Sequence, residues 1–202
     1  MKEHDIDKYD LTELKELLKL ECSMKPSEET LDSLLAMGKV RHYRTNEVIT
    51  EAGVIETNIF IVKKGVICGT DLNGSHERAI GFGEPGTIFI NRFSFVMNQP
   101  SYMELRACCP TDLITITQTD ITRWLETSSE GYKWFFYLAM TSLYNYEDMK
   151  SKVLNGTAEE QFLNMVRFRP YVVNNVSQRA IASYLNITPQ HLSRLKRQLL
   201  YK

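Results

Sequence analysis

Beyond Glu160 the sequence contains no aspartate or glutamate, although Arg167, Arg169, Arg179, Arg194, Lys196, Arg197 and Lys202 all fall there. That absence excludes ion pairing within the segment and gives it a formal charge of +7. The whole chain of 202 residues stands at −1, with 24 Lys and Arg against 25 Asp and Glu, so the first 160 residues carry −8. An acidic body with a basic end points to a polyanionic partner for that end. Long apolar runs are missing too. The longest, Trp134–Met140, is far short of the ~20 residues a spanning helix needs, and no apolar run follows a basic start. A soluble, cytoplasmic protein with no membrane partner is expected.

Cysteine is sparse. Cys22, Cys68, Cys108 and Cys109 form no C-x-x-C pair, and the adjacent Cys108 and Cys109 are awkwardly placed to bond each other. Reduced thiols are the expectation, with Cys108 and Cys109 as buried, inert strand residues. Only Cys22 lies near the N-terminus, which excludes an iron–sulfur cluster needing several cysteines there. His42 and His76 are isolated, with no H-x-H pair, so no metal site is expected. G-x-S-x-G, P-loop and paired-carboxylate signatures are absent. The glycine-rich "GFGEPG" lies among strand-like runs without a following helix, unlike a phosphate-cradling loop. No catalytic residue is assigned and the chain is not expected to be an enzyme.

What is present falls into three textures. Leu11, Leu14, Leu17 and Leu18, then Leu31, Leu34 and Leu35, repeat at helical spacing and predict two short amphipathic helices. From about Val40, short runs such as "NIFIV", "GVICGT", "GTIFI" and "DLITIT" recur roughly every ten residues, with Asn73-Gly74 as a tight hairpin turn, and predict an antiparallel sandwich or barrel. After Asp120 a long aromatic-rich helix is predicted up to Leu154, interrupted only by Gly131. Its length exceeds what covering a small barrel requires, so a second copy of the chain is expected against Leu138, Met149 and Val153. Asn155-Gly156 ends it as a hinge, and Thr157 with Glu160 spells a capping box for the next helix. The charge switch coincides with this boundary.

The last stretch, "VSQRAIASYLNITPQHLSRLKRQ", spells helix, turn, helix. Ser177 caps a helix with Ile181 and Leu185 inward; Asn186 suits a left-handed turn; Thr188 and Pro189 start a second helix. On that helix Leu192, Leu195 and Leu199 face inward, and Gln190, Ser193, Arg194 and Arg197 fall opposite. A helix of this kind lies in the major groove of DNA, where Arg pairs with guanine and Gln with adenine. Base reading is therefore assigned to Pro189, Gln190, Ser193 and Arg194. Arg169, Arg179, Thr188, Lys196 and Arg197 are assigned to the phosphate backbone, which sets affinity and salt sensitivity rather than sequence choice.

The order of elements, together with "IASYLNITPQHLSRLKR" and the glycine-punctuated "TNEVITEAG", "IFIVKKGVI" and "GEPGTIFI", resembles the Crp/Fnr family of bacterial transcription regulators, in the form common in Bacteroidetes. The resemblance implies an α+β fold: a double-stranded β-helix of jelly-roll, cyclic-nucleotide-binding-like type over residues 1–130, a long dimerisation helix over 131–155, and an all-α helix-turn-helix domain over 156–202. It places Gly53, Gly65 and Gly86 at turns. It also implies a homodimer on double-stranded DNA, with RNA polymerase as a further partner. The alternative is a ligand-binding or protein-interaction module without DNA binding. An effector pocket is expected around Phe89, Asn91, Arg92, Ser101 and Tyr102. Members that bind cyclic AMP carry a Gly-Glu pair and an Arg-Ser pair here, whereas this chain reads "FINRF" and "PSYME", with Ser101 in the place of the arginine. Cyclic AMP is thus not expected as ligand, no cofactor is expected, and Arg92 is the available anion partner.

Overall fold

The computed structural model describes residues 11–72 and 77–200, and of 152–155 and 199–200 only the backbone. The expected Asn73-Gly74 turn and His76 lie outside the described residues. Two helices open the described chain, α1 (Thr12–Leu20) and α2 (Glu28–Ala36). Eight strands follow: β1 (Lys39–Tyr43), β2 (Val48–Thr50), β3 (Ile59–Lys64), β4 (Ile67–Asp71), β5 (Arg78–Gly83), β6 (Ile88–Ile90), β7 (Met103–Ala107) and β8 (Thr111–Ile116), with the short helix α3 (Arg92–Met97) after β6. They pair antiparallel into two four-stranded sheets, ordered β1-β8-β3-β6 and β2-β7-β4-β5. This is the expected roll.

Strand β3 shows why its sequence is apolar without alternation. Ile59, Phe60, Ile61 and Val62 are all buried. Phe60 and Val62 fill the space between the sheets with Tyr43, Ile67, Leu105 and Leu113. Ile59 and Ile61 turn the other way, onto Leu14, Leu18, Leu31, Leu34 and Leu35 of α1 and α2. A strand covered on both faces leaves no position for a polar residue. The three expected turn glycines, Gly53, Gly65 and Gly86, all take left-handed φ. At Gly65 a Cβ would also sit 2.5 Å from the Pro110 carbonyl oxygen, so only glycine fits.

The predicted single helix from Ile121 is in fact two, α4 (Gln118–Thr127) and the 27-residue α5 (Ser129–Asn155), divided at Ser128, whose backbone is extended. Gly131 is not the break. It sits inside α5, where a Cβ would lie 2.4 Å from the Trp124 ring, so the glycine is a notch that lets α4 and α5 approach. Beyond Gly156 come α6 (Ala158–Phe168), α7 (Pro170–Asn175), α8 (Gln178–Tyr184) and α9 (Pro189–Leu200). The Thr157–Glu160 capping box forms in both directions. Pro170 ends α6 as expected but then occupies the first turn of α7, where its missing N–H costs nothing.

Glu130, in the first turn of α5, reaches the N-terminus of α2. Its carboxylate accepts hydrogen bonds from the Ser27 N–H at 3.1 Å, the Ser27 hydroxyl at 2.6 Å and the Thr30 hydroxyl. Those hydroxyl and N–H donors hold its pKa below the ordinary carboxylate value. A group with a depressed native pKa stabilises the fold at neutral pH and loses that contribution as pH falls through the native value. Glu130→Ala is expected to lower stability by about 1–2 kcal/mol at pH 7 and by progressively less below pH ~4, measured by urea unfolding across pH.

Candidate nucleic-acid interface and effector pocket

The helix-turn-helix forms from the local signals that predict it. The Ser177 hydroxyl accepts from the Ala180 N–H at 3.2 Å, and the Thr188 hydroxyl accepts from the His191 N–H at 3.1 Å. Asn186 turns the chain with φ 55°. Ile181, Ala182, Leu185, Leu192 and Leu195 are buried together. With one side of α9 anchored, Pro189, Gln190, Arg194 and Arg197 are exposed on the other, Thr188 is exposed at its start, and Ser193 is half-buried at the margin. Leu199 belongs to the backbone-only residues.

Among the assigned phosphate contacts, Arg179 is exposed at the start of α8. Lys196 is half-buried with its ammonium 5.8 Å from the centre of the Phe162 ring, so it lies along α6 rather than out from α9. Arg169 is elsewhere altogether. Its guanidinium donates to Glu84 Oε1 at 2.8 Å and to the Phe82 carbonyl at 2.8 Å, so it binds the roll and does not belong to the outer basic face. The reason is long-range: the carboxylate missing from its own segment is supplied by the turn after β5.

Arg169 is one element of a seam. Val66, Cys68, Ala79 and Phe82 of the roll form one apolar cluster with Phe162, Met165, Val172 and Ile181 of the terminal helices. The Gly65 N–H donates to the Tyr171 hydroxyl at 3.3 Å, the Ala79 N–H to the Ser183 hydroxyl at 3.1 Å, and that hydroxyl to the Glu77 carbonyl at 3.3 Å. Sequence reading missed this seam. Glu21 borders it on α1's side, its pKa raised chiefly by burial and then by Glu84, with Arg169 opposing. Cys108 and Cys109, expected buried, are only half-buried at this seam; Cys68 is buried.

All five expected effector residues, Phe89, Asn91, Arg92, Ser101 and Tyr102, line one cavity of about 370 Å³ inside the roll. The other walls are mostly apolar, among them Ile67, Ile80, Met103 and Leu105. Among the described lining residues Arg92 is the one charged group, and its guanidinium lies 5.9 Å from the centre of the Tyr146 ring of α5. Asn91 and Ser101 are buried but locally engaged: Asn91 Oδ1 caps α3 through the Ser94 N–H at 3.3 Å, and the Ser101 hydroxyl accepts from the Met103 N–H at 3.1 Å.

The long helix departs from expectation at its apolar face. Leu138 is half-buried and packs inward on the cluster containing Trp124 and Trp134. Met149 lines a crevice between α1, α5 and α6, and the Val153 side chain lies outside the described residues. The outward face is instead Tyr132, Phe136, Met140, Leu143 and Tyr144, each at least 46% exposed. Their spacing of three and four residues was legible, but an apolar set on nearly every side of the helix hid which set faced out. Among the described residues no helix is long and apolar enough to cross a membrane, and no cluster of three metal-ligating side chains occurs.

Residues 40–128 match the family described as cyclic nucleotide-binding domain. No curated protein matches the chain by sequence. In fold the chain is similar to FixK2 from Bradyrhizobium japonicum (TM-score 0.70, 17% identity, 81% of this chain and 85% of that one). It is also similar to CLP of Xanthomonas campestris, described as a c-di-GMP responsive global regulator (0.68, 15%, 87% and 92%). A third neighbour is the catabolite activator protein of Thermus thermophilus (0.54, 17%, 87% and 84%). Residues 40–128 are thus similar to the cyclic nucleotide-binding domain, and the chain shares its overall fold with these three proteins.

Proposed function

We propose that this protein is a sequence-specific DNA-binding transcription regulator that acts as a cytoplasmic homodimer and works with RNA polymerase. One observation carries the reading: α9 is anchored by Leu192 and Leu195 while Gln190, Arg194 and Arg197 stand exposed on its other side. Among the described residues those arginines form no ion pair, and phosphates and guanine edges are the acceptors that suit them. Gln190, Arg194, Pro189 and Ser193 read bases; Arg179, Thr188, Lys196 and Arg197 hold the backbone. The outward aromatic and aliphatic face of α5 pairs with its copy, which sets two recognition helices about 34 Å apart for successive major grooves.

The division of labour follows residues 1–130, 131–155 and 156–202, with Gly156 as the hinge. The roll cavity takes an effector whose presence alters the setting of the terminal helices. An apolar lining, a lone cation and a committed Ser101 hydroxyl do not suit cyclic AMP, whose ribose and cyclic phosphate need paired polar partners. Motion at the hinge has to break the Arg169–Glu84 pair and the Ser183 contacts, so the seam is where an effector signal must be spent.

Arg194→Ala is expected to weaken specific binding by about 1–3 kcal/mol and to relax the base preference, while Arg179→Ala weakens binding to all duplexes alike and lowers the salt slope by about 1. Selection from randomised duplexes, repeated at several salt concentrations, separates the two. Equal losses on every sequence for Arg194→Ala would remove its base-reading role, and binding indifferent to salt would favour a protein-interaction module. Sedimentation checks the dimer. Wild type is expected to be dimeric at micromolar concentration and Leu143→Asp monomeric and folded, whereas Leu138→Asp, which sets a charge against the Trp124–Trp134 cluster, is expected to lower the stability of the fold.

A further inference from the structure

Three of the four cysteines meet at the seam. The antiparallel register sets Cys68 of β4 opposite Arg106 of β7. Cys108 lies two residues beyond Arg106, with its N–H donating to the Val66 carbonyl at 2.7 Å. That bond carries the ladder one residue past the end of β7, which sets Cys108 diagonally beside Cys68 on the same wall of one crevice. The pair is not sealed in. It lines a crevice of about 520 Å³ shared with Thr70, Arg179 and Ser183, which opens under the start of α8.

The two thiols differ. The neighbouring Cys108 thiol holds the Cys68 thiol below its ordinary pKa, helped by Thr70 and Arg106 against the cost of burial. The Cys68 thiol in turn raises Cys108, as do burial and the adjacent Cys109. Cys68 also faces the Thr70 hydroxyl at 3.8 Å and sits across the ladder from Arg106, surroundings that suit the attacking thiolate, and Cys108 is the neighbour placed to resolve it.

We propose that Cys68 and Cys108 form a hydroperoxide-reactive dithiol, a modification site at the joint between the roll and the terminal helices. The Cys68 thiolate attacks the terminal oxygen of a hydroperoxide ROOH. An S–O bond forms, the O–O bond breaks, RO⁻ leaves and takes a proton as ROH, and the sulfur becomes a sulfenic acid, oxidised by two electrons. The Cys108 sulfur then attacks Cys68 Sγ. The S–S bond forms, the S–O bond breaks, and hydroxide leaves as water with the Cys108 proton. Drawing the sulfurs to about 2.05 Å shifts the wall on which Ala180 and Tyr184 pack, because close-packed interiors transmit such displacements. The inference stands apart from the DNA reading, since none of its steps involves DNA.

The test uses the full reduced chain, hydrogen peroxide as the oxidant, alkylation of remaining thiols and peptide mass mapping. A Cys68–Cys108 linked peptide is expected in monomeric material, with Cys22 and Cys109 still alkylated. Cys108→Ser is expected to leave a sulfenic acid on Cys68 that dimedone captures, and Cys68→Ser to abolish both the link and any adduct on Cys108. First oxidation at Cys22 or Cys109, or a folded Cys108→Ser protein whose Cys68 takes no dimedone, would overturn the proposal. Hydrogen exchange supplies a readout that needs neither variant: amides of residues 178–184 are expected to exchange roughly tenfold faster after oxidation. An unchanged rate would sever the dithiol from the terminal helices.

Discussion

A segment of chain with no carboxylate of its own must find counter-charge elsewhere, and that constraint arranges the C-terminal half of this molecule. Arg169 finds Glu84 on the roll and is drawn inward. Lys196 leans on the Phe162 ring, a weaker substitute. Arg179, Arg194 and Arg197 find no acid among the described residues and stand in solvent. The same shortage of negative charge therefore docks the terminal helices on one side and leaves the other side open to an anionic partner. Neither result needs a special device. Both follow from where the acids stop, at Glu160.

The apolar part of the seam makes the docking more than electrostatic. Val66, Cys68, Ala79 and Phe82 lie on the roll's outer surface, where an isolated domain would carry polar residues, and they are covered by Val172, Ile181 and their neighbours. Roll and terminal helices thus share a core, and the chain at Gly156 joins parts that also touch directly.

Much of this was legible in order along the chain. Local chemistry gave the caps at Ser177, Thr157 and Thr188, the left-handed Asn186 and the glycine turns, since each depends on residues within one turn of one another. The five cavity residues were named through the family resemblance, and they meet because β6, the start of α3 and the approach to β7 border one cavity. What stayed hidden was set by distant partners. Nothing near Arg169 announces Glu84, 85 residues away, and nothing near Tyr171 announces Gly65. On α5, Leu138 and Leu143 look alike in sequence. Only the position of Trp124, let in by Gly131, decides that Leu138 turns inward.

The tie from Glu130 to Ser27 and Thr30 has a mechanical side. The long shaft grips the Ser27 cap of a helix that lies on the roll, so the two are keyed to each other like a spline in a socket. Torque applied along the shaft, from whichever end, is felt at α2 before it can be dissipated as free spinning.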